Sequence, residues 1–140
     1  MSLHIDQRES ECIVILDLNG PLTLGHADLA LRDRLRALHQ SGKVNIILNL
    51  KEVSHIDSTG LGTLVFALAR LSKAGGRLAL VNLKRSHLEL LLLTKLALAF
   101  ELFDDEREAV NSFFPDRAVK RFDILNFVEH KDDRNPAATC

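Results

Sequence analysis

Cysteine is scarce: Cys12 and Cys140 are the only two in 140 residues. One lies in an apolar run and the other is the last residue, so no disulfide framework is expected. An excess of either charge is also missing. Eighteen Lys and Arg stand against nineteen Asp and Glu, a formal net charge of −1. With no run of five or more basic residues, neither direct nucleic-acid binding nor membrane-surface binding is expected. The opening MSLHIDQRES holds no apolar leader, which predicts a cytoplasmic, reduced protein. The leucine-rich stretch from Leu88 to Phe100 is broken by Glu89, Thr94 and Lys95 and is too short to span a bilayer. Internal repeats and low-complexity segments are absent.

Catalytic and metal signatures are missing too. The six histidines (His4, His26, His39, His55, His87, His130) show no paired spacing for zinc. No G-x-S-x-G elbow occurs, and GLGT lacks the Gly-Lys-Ser/Thr of a phosphate-binding loop. His55 precedes Ser58 by three residues, but no third group is identifiable to orient it, so it reads as a loop histidine. No enzyme activity, cofactor or metal is expected.

What is present fits one globular α/β domain, with 46% hydrophobic and 26% charged residues and a length sufficient for a real core. Residues 3–8 read as a strand, hairpinned through Glu9 to Glu11 into CIVILDL (Cys12 to Leu18), which stops at Asn19-Gly20-Pro21. From His26 to Gln40, Leu29, Leu31, Leu35 and Leu38 recur at helical spacing, and Ser41-Gly42 closes that helix. VNIILNL (Val44 to Leu50) and RLALVNL (Arg77 to Leu83) read as buried strands. Ser86 is positioned to cap a helix running to about Thr94. FELF (Phe100 to Phe103) reads as an edge strand, and Asp104 to Phe114 as a last helix with acids in its first turn. Alternating strands and helices predict a largely parallel sheet, made mixed by the first hairpin. Residues 116–130 read as an added helix or strand, and 131–140 as disordered.

The polar stretch SHIDSTGLG (Ser54 to Gly62) interrupts this apolar pattern. A strand is expected to end near Val53 and a helix to begin near Ser58. Asp57 or Ser58 is suited to capping that helix, but DSTG supplies three polar residues where a cap needs one. On a helical wheel Leu61, Leu64, Val65, Leu68, Leu71 and Ser72 share one side. Phe66 points away from them, with Thr59, Thr63 and Arg70 beside it and Gly62 and Lys73 flanking. An aromatic among small and basic residues fits a docking surface. A serine at its head makes an effective switch. Phosphate adds roughly −1.5 to −2 charge, which a helix N-terminus tolerates and a partner pressed against it does not.

The run LNLKEVSHIDSTGLGTLV resembles the signature of the STAS domain family, specifically of bacterial anti-sigma factor antagonists. The resemblance covers about residues 3–114 and includes NGPL, AGGRLALVNL and the final EREAV…F. It implies a mixed β-sheet of 4–5 strands with about four packed α-helices over residues 1–115, followed by an extension over 116–140. It implies that Ser58 is phosphorylated by an anti-sigma factor serine kinase, that the unphosphorylated form binds this kinase and frees a sigma factor for transcription, and that a metal-dependent serine phosphatase resets the switch. Asp57 then orients or recognises the serine, Thr59 and Gly60 line the contact, and the docking helix adds Gly62, Thr63, Phe66 and Arg70. The alternative is a non-switching STAS module in a larger assembly, such as a lipid-transport or stress-sensing complex, with Ser58 as a plain cap. Monomer and weak dimer both remain open. The chain departs from the family in GPLTLG, where Pro21 and Thr23 replace an acidic loop, in the extension after Pro115, and in the turn Thr94-Lys95-Leu96, where the family often has glycine. A left-handed Lys95 costs roughly 1 kcal/mol relative to glycine.

Overall fold

The computed structural model describes residues 2–117 together with Val119 and Ile124. Its elements run β1 (His4–Ser10), β2 (Ile13–Leu22), α1 (His26–Gln40), β3 (Asn45–Ile56), α2 (Ser58–Lys73), β4 (Arg77–Val81), α3 (Arg85–Leu93), β5 (Glu101–Phe103) and α4 (Glu106–Asn111). One sheet has the order β1-β2-β3-β4-β5, with β1 antiparallel to β2 and the other pairings parallel. This is the expected mixed sheet, with five strands and four helices.

Side chains alternate across the sheet, and both faces are covered. Val14, Leu16, Leu18, Ile46, Leu48, Leu78 and Leu80 pack under α1, α2 and α3. Ile13, Ile15, Ile47, Ala79, Val81 and Phe103 pack against Ala109 and Val110 of α4. Burial on both faces explains why the central strands read as continuous apolar runs. Arg8 ties the outer strand down. It donates to both oxygens of Asp17 at 2.6 and 2.9 Å and to both oxygens of Glu106 at the head of α4.

Several expected boundaries shift. The hairpin turns at Glu11 and Cys12, which have φ of 52° and 72°, so Cys12 is an exposed turn residue rather than the start of a buried strand. Helix α3 is capped at Lys84, one residue before its first turn, and not at Ser86. Leu29 is 61% exposed, and Ala27 takes the buried position beside Leu31, Leu35 and Leu38. The expected extension over 116–140 lies outside the described residues apart from Asp116, Arg117, Val119 and Ile124. Val119 packs against the smaller core and Ile124 is buried in the larger one.

The largest difference is in β2 and β3. β2 does not stop at Asn19-Gly20-Pro21 but continues to Leu22, with register shifts between Asp17 and Asn19 and between Gly20 and Pro21. Proline is tolerated there because β1 pairs only as far as Asn19, so the missing N–H faces no neighbour. Gly20 has φ of 119°, and a Cβ there would lie 2.8 Å from the Ser2 carbonyl oxygen. β3 runs beside this extension to Ile56, past the expected end near Val53. The pair projects beyond the rest of the sheet toward the head of α2.

The first three helices end alike. In each, the third residue past the helix donates its amide to a carbonyl five residues back: Lys43 to Leu38, Gly76 to Leu71 and Leu96 to Leu91, at 2.8, 2.8 and 2.9 Å. This is the Schellman arrangement, which requires a left-handed residue just before the donor. Gly42 and Gly75 fill that position with φ of 79° and 83°, and Lys95 fills it with φ of 63°. The expected left-handed lysine is therefore present. We expect Lys95→Gly to raise unfolding stability by about 1 kcal/mol, read as a higher urea midpoint at unchanged m-value. An unchanged or lower midpoint contradicts the strain.

Candidate functional site

The head of α2 is built by Asp57. This residue is the N-cap, with extended backbone, and its Oδ1 accepts the Gly60 amide at 2.8 Å. Its Oδ2 accepts the Leu24 amide at 3.1 Å. One carboxylate therefore fixes both the helix start and the loop after β2. These two amides, Gly60 first, hold the carboxyl below the usual carboxylate range, with His55 adding a smaller effect in the same direction. Gly60 is packed against the same loop: a Cβ there would lie 1.9 Å from the Leu22 carbonyl oxygen.

Because Asp57 caps the helix, Ser58 does not. Ser58 is the first helical residue and is exposed. Among the described residues its hydroxyl makes no hydrogen bond. The helix then presents Ser58, Gly62, Val65, Ala69, Ser72 and Lys73 as one exposed stripe.

The expected outer face is corrected in part. Thr63 is fully buried: its hydroxyl donates to Asp28 Oδ1 and, at 3.0 Å, to the Thr59 carbonyl. Gly60 is buried as well. Neither is open to a partner. Phe66 is half-buried against α1, with Arg32 Cζ 4.3 Å from its ring centroid, and Arg70 is half-buried beside it. The cause is a rotation of the helix. Gly60 and Thr63 are small enough to let α2 settle against Leu22 and α1. This turns Val65, expected in the core, outward to 38% exposure. Phe66→Ala therefore removes packing with α1 as well as any docking contact.

Two candidate contacts escaped the sequence reading. Leu24 is 75% exposed while its amide is held by Asp57, so an exposed apolar residue is tied by its backbone to the residue that precedes Ser58. The signal was a leucine flanked by Thr23 and Gly25 in a loop. Val65 is the second, hidden because it was counted as core.

His87 lies on α3 and is not part of this face. It is 3% exposed, accepts the Lys84 amide on Nδ1 at 3.3 Å, and leaves Nε2 buried without a partner. Burial pushes its pKa down, and Lys84 and His55 push the same way. Among the described residues no group of three or more His, Cys, Asp or Glu is placed to hold a metal, and no helix is long and apolar enough to cross a membrane.

The STAS domain profile matches residues 4–109. The chain belongs to the STAS domain family. Its STAS domain is 32% identical over 96 residues to an anti-sigma-B factor antagonist of Bacillus subtilis, covering 69% of this chain and 86% of that protein. The fold matches an anti-sigma factor antagonist of Mycobacterium paratuberculosis at a TM-score of 0.70, with 19% identity over 79% of this chain and 93% of that one. It also matches the Bacillus cell fate determinant SpoIIAA in its phosphorylated form at 0.62, with 22% identity over 80% of this chain and 99% of that one.

Two expectations follow from this geometry. Gly60→Ala should destabilise the STAS domain by at least about 1–3 kcal/mol, because the obstacle is backbone; a wild-type denaturation midpoint would show that the loop yields. The second concerns pH. A histidine whose folded pKa is lowered gives full stability above its unfolded value of about 6.5. That stability is lost as pH falls from there toward the folded pKa, because the unfolded chain takes up the proton first. Urea midpoints should fall as pH drops below about 6.5 in the wild type, and less in His87→Gln. Equal slopes would mean that His87 titrates alike in both states.

Proposed function

We propose that this chain is an anti-sigma factor antagonist whose binding to an anti-sigma factor serine kinase is gated by phosphorylation of Ser58. The unphosphorylated form occupies the kinase and leaves a sigma factor free for transcription, and a serine phosphatase restores it. The observation that carries the reading is the division of labour at the head of α2: Asp57 takes the cap and leaves the Ser58 hydroxyl exposed and unused. The likeness to the anti-sigma-B factor antagonist supports the choice of partner.

The contact surface comprises Asp57, Ser58, Thr59, Gly62, Phe66 and Arg70, now joined by Leu24 and Val65. Gly60 and Thr63 act beneath it, by seating the helix. The role is binding rather than catalysis. A phosphate on Ser58 sits at the positive end of the α2 dipole, so the fold tolerates it. A partner closing over that point has to desolvate a dianion beside the Asp57 carboxylate.

Mass-spectrometric mapping on protein from its native cells should find phosphate on Ser58, with occupancy that changes between growth and stress. In calorimetry with the kinase, Ser58→Ala should bind like the wild type and resist phosphorylation. Ser58→Asp should bind at least about tenfold more weakly. Equal affinities for wild type and Ser58→Asp, with Ser58 unmodified in every condition, would instead identify a constitutive STAS interaction module.

A further inference from the structure

The flank of α2 that meets α1 differs chemically from its outer stripe. Phe66 has two guanidinium groups near its ring, with Arg32 Cζ at 4.3 Å and Arg70 Cζ at 5.8 Å from the centroid. The two arginines are satisfied very differently. Arg32 Nε donates to Asp28 Oδ1 at 2.6 Å, and that oxygen also accepts the Thr63 hydroxyl. Arg70 has no acidic partner among the described residues, and its Nε is buried without a hydrogen bond. Its terminal nitrogens are not enclosed. Lys73, three residues on and exposed, also lacks an ion pair among the described residues.

A guanidinium within cation–π range of a ring and buried at Nε has already given up part of its rotamer freedom before binding. Its open edge is a planar donor fork, whose natural complement is a carboxylate. The position argues against a small free anion. Arg70 and Lys73 lie in the last turn of α2, which offers an anion no free helix amides and the negative end of the dipole. The near-zero net charge argues against an anionic membrane. A carboxylate delivered by a docked chain meets the same dipole, but the chain brings further contacts along α2 that a small free anion lacks.

We infer that this flank recognises an acidic segment of a protein partner, one carboxylate pairing with Arg70 and further negative charge meeting Lys73. The inference rests on α2 being the partner-binding helix, but not on phosphorylation of Ser58.

The test is an NMR titration of the full, unphosphorylated, ¹⁵N-labelled chain with a hexaglutamate peptide, at low and at physiological ionic strength. The expected result is saturable shifts at the Arg70 and Arg32 Nε–H signals and along α2 near Phe66. Arg70→Ala should weaken binding at least about fivefold, while the exposed Arg107→Ala on α4 leaves it unchanged. Arg70→Lys keeps the charge without the fork, should fold normally, and should fall between the two. Shifts spread over other basic residues, no saturation, or wild-type affinity in both Arg70 variants would overturn the inference. So would equal or stronger perturbation of this flank by inorganic phosphate or by phosphatidylserine vesicles. No kinase enters the experiment, so a failed switch at Ser58 leaves its outcome readable.

Discussion

The carboxylate of Asp57 accepts one amide from α2 and one from the loop after β2, and the rest of the site depends on that bridge. The Asp57 amide also donates to the Leu22 carbonyl at 3.4 Å. The same carbonyl lies where a side chain on Gly60 would have to go. The β2–β3 extension, the cap and the absent side chain of Gly60 are thus three parts of one contact. Each of them holds the head of α2 against the loop that carries Leu24.

This arrangement separates what holds the helix from what it displays. A capping serine would have its hydroxyl committed to the helix amides, and modifying it would cost the fold a cap. Here the cap is the Asp57 carboxylate, and the serine follows it in sequence. A charge added to that serine meets the amides of the first turn, a favourable place for it. It therefore acts on whatever closes over the helix and not on the helix itself.

Much of this was legible in the sequence. Alternating apolar runs and turn residues located every strand and helix of the described residues, and the absent glycine at Thr94-Lys95-Leu96 raised the question of a left-handed lysine. The junction at DSTG was recognisable as both cap and display site. What stayed hidden depends on tertiary fit. Placing α2 by its large apolar residues put Val65 inside and Thr63 outside. The helix in fact turns toward its small residues, because Gly60 and Thr63 allow the closest approach to Leu22 and α1. The end of β2 was missed for a related reason. Gly20-Pro21 reads as a turn by local rules, and only the short reach of β1 makes a proline acceptable there. Leu29 carries the helical period yet faces water, since a period fixes spacing and not which of two stripes meets the sheet.

The two faces of α2 can also be weighed by distance. Ser58 and Arg70 are twelve residues apart, about 18 Å along the helix. At physiological ionic strength the Debye length is about 8 Å, so a phosphate at the head is largely screened from a guanidinium in the last turn. On the proposed reading, phosphorylation would then not work by neutralising the basic flank. It would work by desolvation at a partner contact over Ser58 and Asp57. The two contacts, more than 10 Å apart and without shared partners, should contribute nearly additively to affinity. A partner could keep its hold on the Arg70 flank while the head is expelled, which would make release a weakening by a fixed factor rather than an all-or-none loss.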